Sequence, residues 1–246
     1  WKGFNPSRLK CMAIGSTDVP VSLIEEVHGK SIPVVQIYGA TETGPVSIYQ
    51  TIDEAFDTVG SIGRRGLHSA IRIVDAEGRD ADDGAPGEIW VKAPNCFAGY
   101  WNNPDATAET VDPDGWLRTG DAGYLDEDGY LYIHDRVKDM IISGGENVYP
   151  AEVENAIYAH PKVADVAVIG VPDAKWGEAV KACVVVKDGE EMTEAEVIAH
   201  AREHIAGYKC PKSVDFIPAL PRNPSGKILR RELRAPYWKG KDRAVN

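Results

Sequence analysis

Apolar and polar positions change rhythm twice along the chain. Near the start, "SLIEEVHGK" has helical spacing and "PVVQIYG" is a short apolar run, which predicts a helix feeding a buried strand. The polar loop Gly39–Gly44 follows, and the set reads as the edge of a parallel sheet in an α/β layer. From Gly60 to about His134 short β-rich runs take over: "AIRIVD", "GEIWVKAP" and "GYLYIHD". Turn clusters separate them ("DAEGRDADDGAPG", "WNNPDA", "DEDG"), which predicts a small antiparallel sheet or distorted β-barrel. After Asp139, "MIISGGENVY" reads as two short strands around a Gly-Gly turn. Pro150 then stands at a first helical position, with Glu152 and Glu154 in the first turn. "ADVAVIGV" and "AVKACVVVKD" are strands, and "TEAEVIAHAREHIAGY" is a helix opened by a capping box from Thr193 to Glu196. Its apolar residues Val197, Ile198, Ala201 and Ile205 share one face. "VDFIP" is a last strand and "GKILRRELR" a last short helix. The expected fold class is therefore α/β and α+β: residues 1–137 as part of a larger domain, and 138–246 as a compact α+β domain.

Composition narrows the function. With 246 residues, 43% hydrophobic and 26% charged, the chain can bury the core of one or two domains. A net charge of −11 and a pI of 5.0 argue against a broad surface for nucleic acid or anionic lipid. No apolar run in these residues approaches the roughly 18 residues of a membrane helix, and none has the pattern expected of a signal peptide. Cys11, Cys96, Cys183 and Cys210 are scattered without a CxxC pair, as expected of reduced structural thiols in a cytoplasmic protein. The chain begins at Trp1, and its first elements look like the middle of a fold, so the expectation is a C-terminal fragment.

Four stretches could carry chemistry. In "YGATETG" a strand ends at Gly39, followed by hydroxyls and a carboxylate, and ligands of open α/β sheets bind at carboxyl ends of strands. Thr41 and Thr43 suit phosphate oxygens, Glu42 suits Mg²⁺, and Tyr38 suits stacking on a base. On the residues alone, a polar loop with a helix cap is the plainer reading of the stretch. In "GWLRTGD", Asp121 could accept both hydroxyls of a ribose or simply stand in a turn beside Gly120. In "NPSGKILRREL", a turn presents Lys227, a point charge suited to phosphate or carboxylate oxygens, though a solvated lysine at a helix start reads the same way. Arg136, Lys138, Gly144 and Gly145 lie in "DRVKDMIISGGENVYPAEVE", where a hairpin with flanking charge is the plain alternative.

Taken in order and spacing, these four stretches resemble the adenylate-forming superfamily of acyl-CoA synthetases, adenylation domains and luciferases. "KDMIISGGENVYPAEVE" and "PDAKWGE" are most similar to fatty-acyl and aryl-acid CoA ligases. The resemblance implies a two-step reaction using ATP, Mg²⁺, a carboxylic acid and coenzyme A. The acid attacks the α-phosphate to give an acyl-adenylate, and the thiol then displaces AMP. It also implies roles for individual residues. Tyr38 stacks on adenine beside Gly39, Thr41 contacts the α-phosphate, and Glu42 holds the metal. Asp121 and Arg136 contact the ribose, and Lys227 bridges the acid and the α-phosphate. Lys138 is the hinge, Gly144 and Gly145 line the pantetheine channel, and Trp176 and Tyr208 flank the coenzyme arm. For these two aromatics, burial in the small domain's core is an equal alternative. Gly15, Ser16 and Thr17 stand where many relatives carry Gly-Gly-Ala-Pro beside adenine.

The family's Gly-, Ser- and Thr-rich phosphate loop would lie upstream of Tyr38 and is not in this sequence. No cationic residue stands near Gln36, Ile37 or "GPVSIY", the segments expected beside the acid, which favours a monocarboxylic substrate. A carrier-loading adenylation domain, a luciferase-like oxidase and a non-catalytic nucleotide-binding module are the rival readings. Oligomeric state stays open, with a homodimer of the full-length protein among the options. The missing loop generates one prediction. The purified 246-residue chain should form little or no acyl-CoA from acid, Mg·ATP and coenzyme A, and robust turnover would contradict it.

Overall fold

The computed structural model describes residues 5–15, 19–224 and 226–240. They form two compact units that divide between Ile133 and His134. That division falls four residues before the expected start of the second domain at Lys138.

The first unit opens with strand β1 (Met12–Ile14), helix α1 (Val21–His28) and strand β2 (Val34–Tyr38). β1 and β2 pair in parallel, so the expected parallel-sheet edge is present. α1 buries Ile24 and Val27 against Ile32 and Val34, the apolar face its spacing implied. Two short strands, β3 (Ile48–Tyr49) and β4 (Arg64–Arg65), extend this sheet by antiparallel pairing in the order β1-β2-β3-β4.

A second sheet holds β5 (Ala70–Val74), β6 (Gly87–Lys92), β7 (Leu117–Leu125) and β8 (Leu131–Arg136), in sequence order. The two sheets share a core of Ile48, Ile62, Ile73, Ile89, Val91 and Leu131. Backbone bonds from Ile62 to Leu131 and from Leu131 to Gly63 stitch them together. Two sequence expectations change here. "WNNPDA" opens a helix, α2 (Pro104–Thr110), because Asn103 caps it by accepting from the Ala106 N–H and Pro104 takes the first turn. "LRTGD" belongs to β7, so Asp121 stands in a strand and not in a turn.

The second unit is one five-stranded sheet with helices. β9 (Ile141–Ser143) and β10 (Glu146–Val148) form a hairpin, followed by α3 (Pro150–Tyr158), β11 (Val163–Asp173), β12 (Gly177–Val186), α4 (Glu194–His204), β13 (Ser213–Phe216) and α5 (Arg230–Trp238). The order is β10-β9-β12-β11, with β13 added parallel to β12. β11 and β12 are buried nearly throughout, and their period-2 alternation divides them between two cores. Val166, Val168, Val180, Ala182 and Val184 pack with Val153 and Ile157 of α3 and Val197 and Ala201 of α4. Ala167, Ile169, Ala179 and Cys183 face Leu220 together with Leu233 and Tyr237 of α5. The capping box of α4 forms with both reciprocal bonds. Pro150 takes the first turn of α3 with Glu152, whereas Glu154 lies one turn further on. α5 starts at Arg230, not at Gly226, because residues before it are held in a turn.

All four cysteines are free, Cys183 and Cys210 buried and Cys11 and Cys96 half-buried. Burial pushes the Cys183 thiol up to about 11 and raises that of Cys210 as well. Iodoacetamide at mildly alkaline pH should therefore modify Cys11 and Cys96 in the native protein and spare Cys183 and Cys210 until it is unfolded. Native labelling of Cys183 at the rate of Cys11 would contradict this packing.

Candidate active site

In the first unit, the carboxyl ends of the parallel strands β1 and β2 lead into Gly15 and Tyr38. Gly15 has its backbone close to β2, since a Cβ there would lie 3.0 Å from the Ile37 carbonyl. Ser16 and Thr17 lie outside the described residues. After Tyr38 the chain folds into a tight loop. A Cβ on Gly39 would stand 2.7 Å from the carbonyl oxygens of Gly44 and Pro45, so only glycine fits. Thr43 is fully buried, and its hydroxyl accepts from the Ala40 N–H at 2.8 Å. Thr43 thus holds the loop together, while Thr41 is left exposed. Glu42 accepts a hydrogen bond from the Tyr100 hydroxyl at 2.9 Å. Burial raises the pKa of that phenol, and the bond to Glu42 raises it further. Tyr100 stands 58 residues from Glu42, and nothing local in the sequence marks it.

Asp121 joins this loop from the other sheet. The Tyr38 hydroxyl donates to its carboxylate at 2.6 Å, across 83 residues of chain. A bulge aims the aspartate. Between the pairs Glu88–Ala122 and Trp90–Arg118, Ile89 alone of β6 faces Thr119, Gly120 and Asp121 of β7. Gly120 supplies the positive φ of +72° and donates its N–H to Glu88, while Thr119 bonds both the Ile89 carbonyl and the Asp121 N–H. Tyr38, Thr41, Glu42 and Asp121 are thus gathered within one unit. Gln36, expected beside the acid, is committed to the interior instead, where its amide donates to the Ser61 carbonyl.

The other expected residues lie in the second unit. Lys138 is exposed on a single 3-10 turn, Val137–Asp139, directly after Arg136. Lys227 is half-buried at the end of a closed turn. Asn223 shapes that turn: its side chain accepts from the Lys227 N–H, and its own N–H donates to the Lys227 carbonyl. Gly226 has φ +87°, and Arg222 spans the turn to the Gly226 carbonyl at 2.6 Å and to Asp165 at 2.6 Å. Gly144 and Gly145 are the two central residues of the β9–β10 hairpin, both with positive φ, the tight turn the sequence implied. Gly144 donates to the Trp176 carbonyl, and a Cβ on it would lie 2.7 Å from the indole. Trp176 and Tyr208 are 40% and 47% exposed, so neither fills the core.

Sequence reasoning missed a buried charge cluster around the 3-10 turn. The Arg230 guanidinium meets both oxygens of Glu154 at 2.7 and 2.9 Å, and lies 3.4 Å from Asp135 and 3.8 Å from Asp139. Arg234 reaches Asp139 at 2.9 Å. These side chains keep only 5–16% of their exposure. Asp135 also accepts from the N–H groups of Arg136 and Ala151, and Glu154 from that of Val168. Burial pushes the Glu154 carboxyl up to about 7, against the pull of Arg230 and with the Asp135 charge adding to the rise. Burial opposes the charge on Arg230, but Glu154 and Asp135 outweigh it and push its pKa up. The two shifts answer to different surroundings, since Arg230 faces three carboxylates and Glu154 mainly one guanidinium.

Metal-binding capacity is modest. Mg²⁺ asks for one or two carboxylates together with phosphate oxygens, and Glu42 fits that demand, with one oxygen fixed by Tyr100. Among the described residues, His200, Glu203 and His204 place ligand atoms within 4.8 Å of one another. Glu203 and His204 are exposed, and exposed groups of this kind are common without an ion, so the cluster takes no part in the site. No described helix is long and apolar enough to cross a membrane.

Known proteins match both units. The family model described as AMP-binding enzyme matches residues 2–101, and that described as AMP-binding enzyme C-terminal domain matches residues 152–227. The chain is 45% identical over 234 residues to indoleacetate–CoA ligase of Aromatoleum aromaticum, covering 95% of this chain and 46% of that protein. It is 48% identical over 233 residues to 2-succinylbenzoate–CoA ligase of Bacillus cereus, covering 95% and 48%. The structure of o-succinylbenzoate CoA synthetase from Bacillus subtilis with its acyl-adenylate intermediate matches with a TM-score of 0.85 at 38% identity, over 93% of this chain and 46% of that one. The chain therefore spans about half the length of the curated relatives it matches.

The glycine hairpin generates a graded prediction. Gly144→Ala incurs both the left-handed strain of about 1–2 kcal/mol and a clash with Trp176, whereas Gly145→Ala incurs only the strain. Urea unfolding should show the larger loss for Gly144→Ala. Equal losses would mean that the indole does not hold its place against the turn.

Proposed function

We propose that this chain, which belongs to the AMP-binding enzymes, is the C-terminal part of an ATP-dependent acid–CoA ligase that releases AMP. The carrying observation is the Tyr38–Asp121 hydrogen bond. It joins two stretches, each ambiguous alone, at the carboxyl ends of parallel strands, where a nucleotide is expected.

The reading assigns a task to each residue of the complete enzyme. The Tyr38 ring stacks on adenine while its hydroxyl fixes the Asp121 carboxylate for the ribose hydroxyls. Gly15 borders the base, Gly39 lets the loop close, and Arg136 adds a ribose contact. Thr41 donates to an α-phosphate oxygen. Glu42, oriented by Tyr100, offers an oxygen to Mg²⁺, which when bound supplies charge neutralisation to the phosphates. Lys227 binds the acid's carboxylate and the α-phosphate together, so that a carboxylate oxygen attacks phosphorus and the bond to pyrophosphate breaks. Positioning and charge stabilisation account for such a step, since phosphoryl chemistry needs little covalent help from protein. In the second step the coenzyme A thiolate attacks the acyl carbon and AMP leaves. Gly144, Gly145, Trp176 and Tyr208 are assigned to the coenzyme arm, with Lys138 as the hinge between steps.

An aryl-bearing carboxylic acid is the favoured substrate class. The relatives' names, indoleacetate, 2-succinylbenzoate and feruloyl, share an aromatic ring and differ in the rest. The expected lack of a cation beside the acid-binding segments does not hold, because β4 pairs Arg65 and Arg64 with Ile48 and Tyr49.

Pyrophosphate exchange by the full-length protein tests the assignment. Lys227→Ala should lower the exchange rate by about a hundredfold or more, the scale of losing one charge-stabilising group. Asp121→Asn should raise KM for ATP. Exchange that survives Lys227→Ala unchanged would refute the role given to the lysine.

A further inference from the structure

We propose that Arg230 is a positioning residue for Lys227, locking the lysine-bearing turn to the segment that contains Lys138. The inference rests on the ligase reading above, and asks what fixes the lysine's place. Lys227 lies three residues ahead of α5, so the attachment of α5 sets where its backbone can be.

That attachment has two parts. Ile228, Leu233 and Tyr237 press on the sheet through partly buried apolar contacts, but no residue of α5 is fully buried, and Pro236 within the helix has no N–H to donate. Apolar contact is non-directional and tolerates sliding. The second part is directional: at the far end of α5 the Trp238 indole N–H donates to the Gly170 carbonyl at 2.9 Å and the Tyr237 hydroxyl donates to Asp215, while the arginines fix the end nearer Lys227. Arg230 grips both oxygens of Glu154, and its other terminal nitrogen points between Asp135 and Asp139. One of these carboxylates precedes Lys138 and the other directly follows it. Arg234 repeats the link to Asp139 one turn along α5.

The carboxylates are themselves fixed. Glu154 is held by the Val168 N–H, and Asp135 by the N–H groups of Arg136 and Ala151. A planar fork between fixed carboxylates defines orientation as well as distance, which a lysine at the same position cannot reproduce. The guanidinium therefore sets the register of α5, and with it the turn from Asn223 to Lys227, against residues 135–139. It acts through Lys227 and is assigned no contact with substrate.

The two half-reactions of the full-length enzyme separate this role from general stability. Arg230→Lys should lower the rate of pyrophosphate exchange at least tenfold while KM for ATP changes less than about threefold. Thioester formation from preformed acyl-adenylate and coenzyme A, which does not use Lys227 in this reading, should stay within about threefold in the same preparation. Arg234→Lys should shift exchange in the same direction by less. Unchanged exchange, or equal loss of both half-reactions, would overturn the proposal. If Arg230→Lys does not fold, Glu154→Gln removes the fork's partner at constant volume and is judged by the same outcomes. Exchange that is lost in Lys227→Ala but normal in Arg230→Lys would refute this inference alone, whereas exchange unaffected by Lys227→Ala would refute the underlying reading.

Discussion

Arg230 brings a guanidinium among three carboxylates that would be costly to bury without it. Asp135, Asp139 and Glu154 come from three places in the second unit, and each is nearly withdrawn from solvent. A buried ionised carboxylate is tolerated when paired and hydrogen-bonded, and removing its partner typically costs about 3–5 kcal/mol. Here two arginines and three backbone N–H groups share that task. Replacing such a cluster with apolar side chains is often no loss to stability, so its presence is better explained by the geometry it imposes. The strand end at Asp135, the turn at Lys138, the middle of α3 and the start of α5 are all drawn to one guanidinium. Lys227 inherits its position from that convergence.

The first unit depends on a smaller device of the same kind. Its two sheets share an aliphatic core, which brings the ends of β2 and β7 near one another without specifying which side chains meet. The specification comes from polar detail. The bulge opposite Ile89, the positive φ at Gly120 and the Thr119 hydroxyl turn Asp121 toward the Tyr38 phenol. The loop after Tyr38 is closed from within by the buried Thr43, which leaves Thr41 and Glu42 on its outer side. The geometry of the candidate site is thus set by a few polar contacts on the strands, and the hydrophobic effect supplies the frame.

Much of this was legible in the sequence because it is local. The alternation in "ADVAVIGV" and "AVKACVVVKD" announced buried strands, Thr193 and Glu196 announced the start of α4, and two adjacent glycines announced the β9–β10 turn. Pro150 marked the start of α3. The misreadings came where one composition serves two structures. Asn-Pro opens α2 as readily as it makes a turn, and the Thr-Gly-Asp of β7 looks like a loop although a bulge hides it within a strand. The Arg230 cluster left no local trace at all, since 95 residues separate Arg230 from Asp135 and 76 separate it from Glu154. Tyr100 escaped for the same reason. Thr43 was expected to face phosphate alongside Thr41, and only the folded loop shows that its hydroxyl is needed inside.

The central claim is that this chain belongs to an enzyme that activates an acid by adenylation before forming a thioester. Nucleotide product analysis tests it most directly. The full-length protein is given Mg·ATP, coenzyme A and an aryl-bearing carboxylic acid that supports turnover, and the nucleotides are separated and counted against thioester formed. The account predicts one AMP and one pyrophosphate for each thioester. ADP and inorganic phosphate in the same proportion would contradict it.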